Sequence, residues 1–323
     1  MSLPTGEDVA AAAQRIAPHI VRTPLLRSPQ LDELTGGAIL LKAEPLQKTG
    51  SFKFRGATNS VLQLTPEQRE AGVVAFSSGN HGQGLACAAA SAGVAATIIM
   101  PHDAPAIKVE NTRDWGATII LYNRQTEDRE QVAAAFVAQT GAVLIPPFDY
   151  GPTIAGQGTA GLEMIQDATA MGLVMDDLLV PTSGGGFVAG CALAAERFSP
   201  RTVAHTVEPE GWDEYARSLR VGERLSNPPG GSQLCDSLLV QTPGKITFEI
   251  NHRLLGPGLA VTDEEVYAAM RFAFLRLKLV VEPGGAVGLA ALLAGKLDAR
   301  RKVVGVVLSG GNVDPAVFAR ALH

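Results

Sequence analysis

Lys53 stands between two phenylalanines in the run Lys48-Thr49-Gly50-Ser51-Phe52-Lys53-Phe54-Arg55-Gly56-Ala57. Ser51 can cap a helix that begins here, which puts the lysine in its first turn. The helix dipole disfavours a cation at that end, and aromatic neighbours strip water from the ammonium. Both effects favour the neutral amine, the form that Schiff-base chemistry needs. Three serine- and glycine-rich clusters accompany it: Ser77-Ser78-Gly79-Asn80-His81-Gly82, Thr182-Ser183-Gly184-Gly185-Gly186-Phe187 and Ser309-Gly310-Gly311-Asn312. Each follows a β-branched or aliphatic run and precedes a helical pattern. Such strand-to-helix turns, with bare amides at a helix start, bind anions at the carboxyl ends of a parallel sheet.

The second cluster admits two chemistries. Gly184-x-Gly186-x-x-Ala189 after Leu178-Leu179-Val180 fits a dinucleotide fingerprint, and Glu208 falls where a ribose-binding acid would stand. An NAD-dependent oxidoreductase is therefore an open reading of these residues, as is a non-catalytic amino-acid-binding module. The match at Gly156-Gln157-Gly158-Thr159-Ala160-Gly161 follows a Pro/Gly turn instead of a strand and lacks that context. The chain contains no Walker loop, no G-x-S-x-G, no H-E-x-x-H and no Cys/His cluster with zinc spacing. His81 and His205, near a loop and a strand end, read as structural side chains.

The elements that must carry these turns alternate along the chain. Strands are expected at 38–42, 73–76, 96–100, 117–122, 143–145, 178–180, 202–207 and 303–308. Helices are expected at 53–64, 81–92, 105–115, 127–139, 154–171, 186–197, 263–276 and 285–295. Near-continuous apolar strands spaced by helices make an α/β protein with parallel sheets covered on both faces. Breaks at Glu44-Pro45-Leu46-Gln47 and at Ile145–Pro152 divide it into a small domain, 46–149, and a large one, 1–45 together with 150–323.

The 323 residues hold 27 Lys and Arg against 32 Asp and Glu, with 46% hydrophobic residues. That balance suits a large core and a small-molecule partner, not nucleic acid or an anionic membrane. Glycine supplies 35 residues, above the ~7% typical of proteins. Three scattered cysteines, Cys87, Cys191 and Cys235, fit a reducing compartment. The start, Met1 to Asp8, lacks the pattern of an export signal, so a cytoplasmic setting is expected. The uncharged stretch Gly82 to Pro101 reads as a helix followed by a buried strand, not a membrane span.

Taken in order, Lys48–Ala57, Ser77–Gly82, the glycine loop, Glu282-Pro283 and Ser309–Asn312 resemble the fold-type II pyridoxal-phosphate (PLP) enzymes. Within them the chain resembles the threonine/serine dehydratase and serine racemase branch, from about residue 22 to 314. The resemblance implies two parallel-type sheet domains with the cofactor in the cleft between them. It implies that Lys53 forms the Schiff base with PLP and serves as base at the substrate Cα. Asn80 would hydrogen-bond the cofactor's 3′-oxygen, and the amides of Ser183, Gly184, Gly185, Gly186 and Phe187 would hold its phosphate. Ser309 would face the pyridine nitrogen, where a neutral hydroxyl favours β-elimination; Phe52 and Glu282 complete the cofactor contacts.

The same likeness sets the substrate carboxylate on the turn Ser77, Ser78, Gly79, Asn80 and His81. Ser78 matches the acid/base serine of the racemases. The expected reaction is loss of water from L-threonine or L-serine, giving a 2-oxo acid and ammonia. Arg129 could instead serve a second carboxylate, so 3-hydroxyaspartate dehydration is the alternative, with serine or aspartate racemisation another. Phe148 looks more like the dehydratases than the racemases, while Ser183 replaces a glycine and Leu234-Cys235-Asp236-Ser237 departs from the usual Ala-Asp-Gly. Glu208 and Glu214, flanking Trp212, sit where relatives bind Mg²⁺ or Ca²⁺, and oxygen ligands suit such cations. A homodimer is expected from the family, and no regulatory domain is expected after Asn312.

Overall fold

The structure, a computed structural model, describes residues 3–104 and 106–323. Met1 and Ser2 of the expected leader-free start, and position 105 at the head of an expected helix, lie outside the described residues. Ten strands and fourteen α-helices are described. The strands are β1 (Leu25–Arg27), β2 (Ala38–Ala43), β3 (Val73–Phe76), β4 (Ala96–Pro101), β5 (Thr118–Tyr122), β6 (Val143–Leu144), β7 (Asp177–Pro181), β8 (Val203–Pro209), β9 (Leu259–Val261) and β10 (Val303–Leu308). They form a six-stranded sheet, β1-β2-β10-β7-β8-β9, and a four-stranded one, β5-β4-β3-β6. All pairings are parallel except β1 with β2, an antiparallel edge.

The first helices are α1 (Gly6–Ile16), α2 (Pro29–Thr35), α3 (Lys53–Leu62), α4 (Pro66–Ala71), α5 (Asn80–Ser91), α6 (Ala106–Asp114) and α7 (Arg129–Thr140). The others are α8 (Gly151–Ala170), α9 (Gly186–Phe198), α10 (Glu214–Val221), α11 (Lys245–Leu254), α12 (Asp263–Phe272), α13 (Pro283–Leu293) and α14 (Pro315–Leu322). A π-turn, Ala273–Leu277, extends α12. Among the described residues no helix is long and apolar enough to cross a membrane; the stretch from Gly82 resolves into α5 and β4.

Burial explains the strands. Leu178, Leu179 and Val180 in β7 and Val304, Val306 and Val307 in β10 are fully buried, as strands covered by helices on both faces must be. Small residues then let helices close together: α8 packs on α9 where Gly158 faces Gly190, and a Cβ at Gly158 would come within 2.5 Å of the Gly190 carbonyl oxygen. The carboxyl ends of β3, β7 and β10 run directly into the three glycine clusters.

Every expected strand is present within two residues. The three-residue strands β1 and β9 at the sheet edge were not expected, nor were α1, α2, α4, α10, α11 and α14. Edge strands that short show no periodicity. The expected Ser51 cap is also absent: Phe52 is the N-cap of α3 without a side-chain bond. Ser51 instead pairs its backbone with Gly310, and its buried hydroxyl has no partner.

Candidate active site

Lys53 begins α3, where Phe52 accompanies it: the amine lies 5.1 Å from the Phe52 ring, which stacks on Phe187 at 3.9 Å between centroids. Its Nζ donates to the carbonyl oxygen of Pro147 at 2.8 Å. Burial pushes this amine down to about 8, against the pull of the Glu282 carboxylate. At that value a useful fraction is neutral near pH 7, the condition for a nucleophilic or basic lysine.

Glu282 precedes α13 and is 4% exposed. Burial, with the charge of Asp236, pushes its carboxyl up to about 8. The Asn80 amide donates to its Oε1 at 2.7 Å, and Asn312 donates in turn to Asn80 Oδ1 at 2.8 Å and to the Thr49 carbonyl at 2.8 Å. Gly310 makes this approach possible, since a Cβ there would come 2.5 Å from Glu282 Oε1. Ser309 is buried beside it, its carbonyl accepting the Phe52 amide at 3.1 Å. The first and third clusters thus meet beside Lys53 through hydrogen bonds.

Helix starts differ in their caps; those at the cleft are uncapped, as is α8, while α10 and α11 take theirs from Glu208 and Asp149 instead of from the N-cap residue. α1, α2, α4, α7, α12 and α14 are capped by Thr5, Ser28, Thr65, Asp128, Thr262 and Asp314. α3, α5, α9 and α13 have no side-chain cap. The first-turn amides of α9, from Gly186 on, therefore face the cleft without an intrahelical acceptor, as do those of α5. Gly185, the α9 N-cap, has φ +88°, and a Cβ there would lie 1.9 Å from the Tyr215 hydroxyl. Only glycine fits that turn. The Thr247 hydroxyl donates to the Gly184 carbonyl and the Asn251 amide to that of Gly185, which leaves the amide side of the loop open. An uncapped, glycine-lined helix start beside a poorly solvated lysine fits a phosphorylated aldehyde such as PLP.

Other expected residues fall into place or apart. Ser77 accepts the Gly79 amide, and Ser78 is half-buried on the same turn. The His81 ring turns into the core: Nε2 meets the Ile145 carbonyl at 2.8 Å, and burial pushes its pKa down to about 3. The hydroxyl of Ser183 is engaged by the Val240 amide at 3.1 Å, away from the amides it precedes. Arg129 opens α7 at the rim, its guanidinium 5.3 Å from the ring of Phe76, the residue before Ser77. His205 is held between Asp177 and the Pro257 carbonyl, a structural role. A cavity of about 380 Å³ adjoins the site, and the Lys108–Asp236 ion pair on its lining joins α6 to the 236–238 turn.

Glu208 and Glu214 are fully buried behind Tyr215. Glu208 caps α10, accepting the amides of Tyr215 and Ala216 at 2.8 Å each. Burial and the Glu214 charge raise its pKa; burial pushes Glu214 up to about 7, and among the described residues its Oε1 has no partner. Trp212 bonds the Ser232 carbonyl through its ring. Among the described residues no group of three His, Cys, Asp or Glu side chains is arranged for a metal.

Sequence reasoning missed the Pro147 carbonyl and Gln157, which bonds it. A backbone oxygen leaves no signal in the sequence, and Gln157 sits within a glycine pattern already set aside.

Residues 16–310 match the family model described as pyridoxal-phosphate dependent enzyme, and the chain belongs to that family. It is 43% identical over 324 residues to an L-threo-3-hydroxyaspartate ammonia-lyase of Pseudomonas sp, covering 100% of this chain and 99% of the relative. It is 39% identical to a serine racemase of Schizosaccharomyces pombe, over 99% and 98% of the two chains. The crystal structure of a threonine deaminase from T.th. superposes with a TM-score of 0.90 at 44% identity, over 96% of this chain and 99% of that one. The cofactor of this family is pyridoxal phosphate, so the dinucleotide reading falls. Both oxygens of Glu208, its proposed ribose acid, are spent on the α10 amides, and the second glycine match lies inside α8.

Proposed function

We propose that the chain is a PLP-dependent ammonia-lyase that removes water from a β-hydroxy amino acid, and that L-threo-3-hydroxyaspartate is its preferred substrate. Arg129 carries this choice. It stands over Phe76 at the edge of the Ser77–His81 turn, and among the described residues no carboxylate is recorded in an ion pair with it. An unpaired guanidinium one residue from the turn suits a second carboxylate, which threonine and serine lack. The relative that acts on hydroxyaspartate and the threonine deaminase structure support the reaction class.

Lys53 would hold the cofactor, with Asn80 and Glu282 on one side, Phe52 and Ser309 beside it, and the amides of Ser183–Phe187 on its phosphate. When bound, PLP acts as an electron sink that acidifies the substrate Cα–H. The turn Ser77, Ser78, Gly79, Asn80 and His81 would receive the α-carboxylate on the amides of Ser78, Asn80 and His81, those of Ser77 and Gly79 being engaged by the Ile99 carbonyl and the Ser77 hydroxyl, and would fix the Cα beside Lys53. The neutral Lys53 amine takes the Cα proton, and Ser78 would hold a proton on the opposite side, where it would serve racemisation as a side activity. Departure of the β-hydroxyl as water leaves an enamine; its imine tautomer is hydrolysed to the 2-oxo acid and ammonia. Apolar packing around Phe52 and Phe187 excludes water from the amine until then.

The test compares ammonia release from L-threo-3-hydroxyaspartate, L-threonine and L-serine. In Arg129→Ala, kcat/KM for hydroxyaspartate should fall roughly 10–100-fold, the worth of a charged hydrogen bond, with threonine nearly unchanged. An unaltered preference would overturn the role of Arg129.

Glu208, Glu214 and the Trp212 carbonyl are the ligands we propose for Mg²⁺ or Ca²⁺. Two buried like charges and an unpaired Glu214 oxygen support this, since a cation relieves both. Either ion should raise the Tm and EDTA lower it, with Glu214→Gln insensitive. Three buried free cysteines fit a cytoplasmic setting, and the homodimer expected from the family is checked by light scattering.

A further inference from the structure

The Pro147 carbonyl oxygen accepts two donors. Lys53 Nζ lies 2.8 Å away and Gln157 Nε2 3.1 Å. Gln157 is fully buried on α8, and among the described residues its Oε1 has no partner. The amide orientation is fixed, because a carbonyl accepts only from the nitrogen end. The side chain lies on Gly56, where a Cβ would come 2.8 Å from Gln157 Cγ. Gly56 is one turn after Lys53, on the same face of α3. A buried amide with most of its capacity unused is a poor stabiliser, and an apolar side chain of its length would fill the space without an orphaned acceptor. Its one bond goes to the atom that the site lysine also uses.

We propose that Gln157 is a positioning residue for Lys53: by donating to the Pro147 carbonyl it fixes the atom on which the free Lys53 amine rests, so that the lone pair is presented to the substrate. The inference rests on the reading of Lys53 as the base. A neutral amine that donates one N–H to Pro147 has its lone pair directed elsewhere. When it takes the Cα proton, the resulting ammonium keeps that bond and has two further N–H groups, one of them new, from which to return the proton or pass it on. Without Gln157 the 146–148 loop carbonyl is held by Lys53 alone, and it drifts whenever the amine is bound elsewhere.

Gln157→Met keeps the length and loses the donor; Gln157→Glu donates only while protonated. In the holoenzyme Gln157→Met should keep the borohydride-sensitive visible band and a KM within about twofold, while kcat falls about tenfold. The apo-protein of this variant should also take up PLP more slowly, a readout that needs no turnover. Gln157→Glu should approach the wild-type kcat at acid pH and fall away from it as the carboxyl ionises, a profile that a packing role would not give. Wild-type kcat and uptake in Gln157→Met, with Lys53→Ala inactive, would overturn this inference and leave the base assignment standing. Activity retained in Lys53→Ala would overturn the base assignment itself.

Discussion

Arg55 and Lys53 are two residues apart on α3, and their surroundings are opposites. Arg55 is fully buried and donates to both oxygens of Glu44 and both of Glu163 at 2.8–2.9 Å. Lys42, also buried, completes the group at 2.6 Å from Glu163 and 2.8 Å from the Thr23 carbonyl. Two positive and two negative charges cancel, and every one is hydrogen-bonded, the condition under which buried ions are tolerated. Among the described residues Lys53 has a neutral carbonyl as its one hydrogen-bond acceptor, and the carboxyl of nearby Glu282 accepts from one amide. Burial moves both toward 8 from opposite sides. The first cluster ties α3 to β2 and α8, with its charges locked. The second keeps a proton exchangeable near neutral pH, which is what chemistry requires.

Removing a member from each cluster should separate the two roles. Lys53→Ala should lose the visible cofactor band and all measurable ammonia release, the largest effect on function. Its unfolding free energy should not fall, since no ion pair is broken and the cost of burying the amine is removed. Arg55→Met should do the reverse to stability. Stranding Glu44 and Glu163 without a counter-charge costs about 3–5 kcal/mol, read as a lower denaturant midpoint. The residual folded protein should still bind PLP. Equal losses of stability in the two variants would erase the distinction between a locked and an exchangeable cluster.

The legible parts of this molecule were contiguous. Lys53 with its phenylalanines, and the three glycine clusters, each lie within ten residues, and strands β3 and β10 have the expected ends because their aliphatic runs are uninterrupted. What the sequence hid lies far apart along the chain. Pro147 is 94 residues from Lys53, Glu163 is 108 from Arg55, and Asn312 is 232 from Asn80. No local pattern encodes such pairings. Glu208 shows the same limit: its position suggested a ribose-binding acid, but its oxygens accept the amides of a helix that begins six residues downstream. Arg55 was visible only as part of a motif, and its charge partners are fixed by the packing of α3 on α8.

The smallest effect is the most specific. PLP is captured by the neutral amine, so apo-protein uptake should rise about tenfold per pH unit and level off around 8. In Glu282→Gln the midpoint should move lower, because the carboxylate that favours the ammonium is gone. Stability should follow the same pair. Glu282 titrates higher in the folded chain than its ordinary 4.5, so its contribution is complete below 4.5 and is lost as the pH rises through 8. Lys53 titrates lower than its ordinary 10.5, so its contribution is present above 10.5 and is lost as the pH falls through 8. Together they give the apo-protein a stability trough near pH 8. Difference curves from denaturant unfolding should show Glu282→Gln flattening the acid side and Lys53→Met the alkaline side. If neither variant alters the trough, the two groups are not the exchangeable pair that sets them apart from the Arg55 cluster.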